Sequence, residues 1–265
     1  MTEPPEPPPP TDSTAHLDVE HQVLLKVRLA RLETLLGVHQ DKPGVHHLPA
    51  WLRPTKGEHR ITVTVMLAVL VALQLGLRRD LQFQPRYLIP SLEVLLFAVL
   101  VMANPARITR EAASLRLLGL LLVMAASFAT AWSAGRLVYE LATGHAGNSA
   151  IPLLVNGGAI WLTNVIVFAL WYWELDRGGP AARANARKKL PDFLFTQMST
   201  PELASRDWEP AFLDYLYLSF TNATAFSPTD TLPLSRWAKL TMMFQSAISL
   251  VTVALVVARA VNIFS

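Results

Sequence analysis

Five stretches of this chain are apolar for nearly the length a helix needs to cross a bilayer, and no other feature constrains its fold as strongly. The hydrocarbon core of a membrane is about 30 Å thick, which takes about 20 helical residues at 1.5 Å each. The runs cover about 61–77, 87–103, 115–135, 151–175 and 237–264, the first two being near the short limit. Their ends carry the groups that favour a membrane–water boundary: Arg78 and Arg79, Arg86 and Tyr87, Asn104 and Pro105, Trp171 to Trp173, and Trp237. The expected fold class is therefore all-α, a polytopic membrane helix bundle with five transmembrane helices.

Composition agrees. Charged residues make up 16% of the 265, against about 25% in soluble domains, and the mean hydropathy is +0.32. The absence of cysteine excludes disulfides, thiolate-bound zinc, iron–sulfur clusters and thiol catalysis. A formal charge of +3 would suggest nucleic acid in a soluble chain, but here Lys and Arg flank apolar runs and orient them, so no nucleic-acid partner is expected.

With five spans, Arg53, Lys56, Arg60, Arg107, Arg110, Arg116, Arg177, Arg183, Arg187, Lys188, Lys189, Arg206, Arg236 and Lys239 fall on the amino-terminal side. Arg78, Arg79, Arg86, Arg136 and Arg259 fall on the other, a bias of 14 to 5. The bias predicts a multi-pass protein of the plasma membrane with its amino terminus and the 176–236 region in the cytoplasm.

Residues 1–20 begin MTEPPEPPPP and read as a disordered Pro-rich tail. Residues 21–60 read as an amphipathic surface helix, with Leu25, Leu29, Leu32 and Leu36 on one face, and a linker. The transmembrane domain follows over 61–265. Between its last two spans, RGGPAARANARKKLPDFLF reads as an exposed basic loop.

No phosphate-binding Gly loop, nucleophile elbow, metalloprotease helix or paired carboxylates are present, so the chain is expected not to be an enzyme and to need no cofactor or metal. Polar groups inside the spans are the next candidates. Glu93 lies mid-span with no opposite charge one turn away, Asn156 and Asn164 flank Gly157 and Gly158, and Gln245 heads a polar patch with Ser246 and Ser249. Arg136 and Glu140 are spaced to pair at the end of the third span. Helix–helix packing is the ordinary use of small and amide residues in such places.

The strongest local signal is YLSFTNATAFSPTDTLP, from Tyr217 to Pro233, directly before the last span. An aromatic half-helix, then Thr, Asn and Ser, then Asp and Pro, is the design of a re-entrant pore loop, and the segment over about 208–230 is expected as a re-entrant or interfacial half-helix before the last span. Irregular backbone at membrane depth survives only against protein or water. The oxygens such a loop would offer are those of Thr221, Asn222, Thr224, Ser227, Thr229 and Asp230.

This segment resembles the pore region of potassium channels, whose pattern runs approximately YFSFxTxTTVGYGDxxP. Tyr217, Ser219, Phe220, Thr224, Asp230 and Pro233 stand at matching positions, and AFSPTD stands where the filter TVGYGD would be. Ser227 and Thr229 replace both filter glycines and Pro228 the tyrosine, so the resemblance implies a pore loop without a potassium-selective filter. It covers the last 45 or so residues. Over about residues 60–265, FALWYWEL, DYLYLSF, SPTD and ARAVNI resemble an uncharacterised family of bacterial integral membrane proteins, a domain of unknown function. That likeness implies an architecture and no site.

The function expected on these grounds is channel-like: an oligomeric pore in the lipid bilayer through which small ions, cations first, permeate. The alternative is a non-conducting scaffold or signalling protein that recruits a soluble partner through its amino-terminal region. A channel-like loop would open outward, whereas the charge bias places this one inside.

Overall fold

The computed structural model describes residues 48–104, 107–108, 112–144, 149–225 and 230–264. The Pro-rich tail, the amphipathic helix, Ser227 and Thr229 lie outside them. The helices are α1 (Ile61–Gly76), α2 (Leu88–Ala103), α3 (Ala113–Ala142), α4 (Ala150–Leu175), two short ones, α5 (Pro180–Ala184) and α6 (Thr196–Ser199), then α7 (Phe212–Ala225) and α8 (Arg236–Phe264). A two-residue β1 (Phe193–Leu194) pairs antiparallel with β2 (Leu232–Pro233), tying the segment after α4 to the start of α8.

Among the described residues three helices, α3, α4 and α8, are long and apolar enough to cross a membrane. The 16 residues of α1 and of α2 reach only about 24 Å each. Of the five expected spans, then, three meet the length criterion and two are shorter apolar helices at the expected positions.

Local sequence explains where these helices begin and stop. Pro90 and Pro152 are each the third residue of their helix, within the first turn, where the missing N–H has no intrahelical partner to lose. At the far end of α1 the side-chain amide of Gln82 reaches the carbonyls of Gln74, Leu75 and Leu77, at 3.1, 3.1 and 2.6 Å, satisfying groups that a helix end leaves open. The third helix runs past the expected limit near residue 135. Glu140 sits between Arg136 (3.9 Å) and Arg78 (3.1 Å), so its charge is matched where the apolar run fades.

Successive helices α1 to α4 alternate in direction, because Arg60, Leu100, Arg116 and Glu174 line one cavity while Gln74 meets Glu93 at the other end. The centre of the bundle is α4. Its residues Thr163 to Leu170 are all buried, as expected of a helix covered on every side. Around it pack α1, α3, α7 and α8.

The segment after α4 is exposed at Arg187, Lys188 and Lys189, as its basic composition predicts, but not at its first two arginines. Arg177 is 1% exposed and Arg183 is 6%. Arg183 donates to the carbonyls of Trp173 (2.6 Å) and Asp176 (3.0 Å) and lies over the Tyr215 ring at 5.0 Å. Arg177 donates to the Lys188 carbonyl at 2.9 Å and lies over Trp51. Carbonyl dipoles and aromatic faces thus stand in for the water these guanidinium groups lose.

Candidate functional site

The loop residues singled out in the sequence belong to two different settings. Thr221 and Thr224 lie on α7, and each hydroxyl turns back onto its own helix: Thr221 onto the carbonyls of Tyr217 and Leu218, Thr224 onto those of Phe220 and Thr221, at 2.9–3.2 Å. Asp230 lies beyond the helix, its carbonyl accepting a bond from the Thr196 hydroxyl at 3.0 Å.

Asn222 is buried and meets Gln245 of α8. The Gln245 carbonyl oxygen accepts from the Tyr172 hydroxyl (2.6 Å) and the Asn222 amide (2.8 Å), while its own amide donates to the Ser219 carbonyl (3.0 Å) and hydroxyl (2.7 Å). All four hydrogen-bonding positions of Gln245 are filled. The Ser219 hydroxyl passes the chain on to the Val165 carbonyl at 2.6 Å, and Asn222 also donates to Met242. The adjacent Ser246 reaches Asn222, and one turn along Ser249 accepts from Trp161 and donates to the Ala223 carbonyl. This polar seam joins α4, α7 and α8 through the middle of the bundle.

The remaining intramembrane candidates are separated. Glu93 accepts a bond from Gln74 across α1 and α2 at 3.0 Å. Asn156 accepts from the Arg78 backbone N–H and donates to the Pro152 carbonyl, pinning the α1–α2 turn to the start of α4. Both amide atoms of Asn164 are buried without a partner among the described residues. The small-residue face has one working position: a Cβ on Gly157 would lie 2.7 Å from a Val256 methyl, whereas one on Gly158 would meet nothing within 4 Å. Gly157 is therefore a position where α8 packs closely on α4.

Two features were not legible in the sequence. One is a hub at the arginine-rich end. The Asp176 carboxylate, 0% exposed, accepts from the Tyr215 hydroxyl (2.6 Å) and the Asp192 backbone N–H (2.8 Å). The Asp192 carboxylate in turn accepts from the Arg177 backbone N–H and the Trp237 indole, both at 2.9 Å. Beside it Glu58 accepts from the first N–H of α7 (2.6 Å) and from the Trp173 indole (2.7 Å), capping one helix while holding the end of another. Burial pushes the Glu58 carboxyl above the usual carboxylate range against the pull of these two bonds.

The second is a cavity of about 350 Å³ beside this hub, where the ends of α1 to α4 gather. Val63, Leu67, Phe97 and Leu122 make part of its floor, and Arg60, Arg116, Arg187 and Glu174 supply its charge. Glu174 fits because two glycines face it. A Cβ on Gly119 would lie 3.1 Å from its carboxylate, and one on Gly179, at φ +99°, would lie 3.0 Å from its carbonyl. The signal that could have revealed this site is the placing of Arg60, Arg116 and Glu174 at helix ends that alternating helices bring to one end of the bundle. Among the described residues no cluster of His, Cys, Asp and Glu could hold a metal ion.

No family model, curated protein or solved structure matches this chain, so the resemblances to a potassium-channel pore and to a bacterial membrane family find no counterpart. What stands on hydropathy and helix length is a helical protein with three helices able to span a membrane and apolar faces suited to a lipid bilayer.

Proposed function

We propose that the protein is a multi-pass, non-enzymatic membrane protein that conducts no ions and presents its arginine-rich end as a folded platform for a partner. The observation that supports this most is the polar seam: the groups a pore would turn toward its ions, Asn222 and Gln245 above all, are bonded to one another within a single chain. The Asp176–Asp192 hub and the strand pair give the arginine-rich end the rigidity a binding surface needs. In this reading α1 and α2 cross with the aid of their neighbours, the platform faces the cytoplasm, and the amino-terminal region over 1–40, tail and amphipathic segment together, recruits a soluble partner.

The test is flux. Purified protein in liposomes should leave potassium and sodium gradients intact, and a cation flux that Thr224→Val reduces would overturn the reading. Single cysteines placed at the exposed Lys189 and Ala142 test the orientation, because this chain has none of its own. An impermeant thiol reagent on intact cells should label the second and spare the first.

The channel is the second reading, and one observation favours it. Leu213, Tyr217, Phe220 and Thr224 form an exposed stripe down α7 just before the residues aligned with the filter. In a symmetric homo-oligomer those stripes could face a common axis, with a small cation as permeant.

A further inference from the structure

We propose that the cavity at the arginine-rich end is a binding site for the headgroup of an anionic glycerophospholipid, which enters sideways between α1 and α2. Its charge selects the ligand. Arg60, Arg116 and Arg187 outnumber Glu174, so the cavity presents net positive charge to whatever fills it. Arg60 is the inner determinant: it is 7% exposed, and its buried Nε has no hydrogen-bond partner among the described residues. A buried guanidinium donor without an acceptor is costly, and a phosphate oxygen is the acceptor its planar fork fits best. Arg116 and Arg187 are exposed at the mouth, where a headgroup would arrive.

The walls identify a lipid rather than a soluble anion. Beneath the arginines the lining is apolar, with Leu67, Phe97 and Leu122 on three different helices, which suits methylenes and not a hydrated ion. At about 350 Å³ the space suits a headgroup and its glycerol, so the acyl chains must leave through a wall. A second cleft of about 670 Å³, on the outer side of α1 and α2, is lined by Ile61, Val94, Val101 and Met102 and shares Arg60 and Phe97 with the first. Arg60 lies over the Phe97 ring at 5.9 Å, so this one pair divides the charged chamber from the apolar cleft. A headgroup held by the arginines would place its chains past Phe97 in that cleft, continuous with the bilayer.

The experiment uses the full chain purified in a neutral detergent. Dioleoylphosphatidylglycerol, dioleoylphosphatidylcholine and inorganic phosphate are titrated in parallel, and bound molecules per protomer are counted by native mass spectrometry. The phosphatidylglycerol should saturate at a single molecule per protomer at concentrations where phosphatidylcholine does not bind. Losing one charge-assisted fork should weaken it about tenfold in Arg116→Gln and in Arg60→Gln, with Arg136→Gln at the opposite end leaving it unchanged. Because Arg116 is exposed, its variant carries the test if the Arg60 variant fails to fold. Equal retention of the two lipids would overturn the proposal by reducing the site to general lipid contact. Phosphate binding as tightly as the lipid, or indifference to Arg116→Gln, would overturn it equally.

Discussion

Helices α4 and α8 have almost the same mean hydropathy, 1.9 and 2.0 over their most apolar windows, yet 67% of that window is buried in α4 and 28% in α8. Hydropathy therefore does not decide which helix becomes the centre of the bundle. Lipid tails are as apolar as leucine, so greasiness gives one helix no reason to seek another in a membrane. What differs is the complement of groups that need protein partners. The central helix offers Gly157, a Tyr172 hydroxyl bonded to α8 and a Val165 carbonyl bonded to α7. The peripheral helix gathers its needs on one face, Gln245, Ser246 and Ser249, and leaves Leu240, Met243, Phe244, Val251 and Val261 exposed.

The comparison is broken most severely by removing the group through which the two helices communicate. Gln245→Leu removes the acceptor of the Tyr172 hydroxyl and one bond each from the Asn222 amide, which keeps Met242, and the Ser219 hydroxyl, which keeps Val165; at about 1–3 kcal/mol for the orphaned hydroxyl and about 0.5–1.5 kcal/mol for each further bond lost, the loss should reach roughly 3 kcal/mol. Unfolding in mixed micelles would measure it; a loss below about 1 kcal/mol would mean the seam contributes little.

A smaller effect is expected at the close approach. Gly157→Ala should destabilise by about 1–3 kcal/mol through the clash with Val256, while Gly158→Ala, facing open space, should be neutral. Adding Val256→Ala should recover part of the first loss, and additivity in that double-mutant cycle would show that the two residues do not touch.

At the charged end of α4 the expected signature is in pH. The folded-state carboxyl of Glu58 titrates above its ordinary range because it is buried, so the folded protein holds this proton more tightly than the unfolded chain. Its contribution to stability is complete below the ordinary carboxylate range and is lost as pH rises through the raised value. Glu58→Gln should flatten stability across that window, measured as unfolding midpoint against pH; an unchanged slope would point to another group.

The smallest effect is expected on the outer face of α8. Leu250→Ala and Val257→Ala alter side chains about half exposed, at 52% and 50%, and should cost under about 1 kcal/mol. Losses matching those on α4 would mean that this face is buried in a larger assembly, and would sharpen the case for a homo-oligomer.

Much of the secondary structure was legible in the chain. The expected span at 87–103 is the helix Leu88–Ala103, and the one at 237–264 is Arg236–Phe264. The third helix reads short from sequence because Arg136 and Glu140 look like an ending until Arg78, 62 residues from Glu140 in sequence, supplies the second partner. The basic segment is legible only in part: Arg187, Lys188 and Lys189 are exposed as its composition predicts, while two other arginines are not. Arg177 and Arg183 resemble solvated charges until the Lys188 carbonyl and the Trp51 ring cover the first, and the Trp173 carbonyl and the Tyr215 ring the second. Among the described candidate site residues, Asn222 and Gln245 meet side chain to side chain across two helices, while Thr224 meets Thr221 only within its own helix.

The sequence by itself determined that apolar runs of near-spanning length would be helical, because a backbone in lipid must satisfy its hydrogen bonds within each segment. It also determined which side gathers the arginines. Only the tertiary structure decided what the polar residues do. Asn222 and Gln245 lie on separate helices, as do Arg60, Arg116 and Glu174, and whether such groups face an ion, a lipid or one another depends on helix rotation and approach. Those are set by the fit of Gly157 against Val256 and of Glu174 against Gly119, relations between distant positions that no local pattern contains.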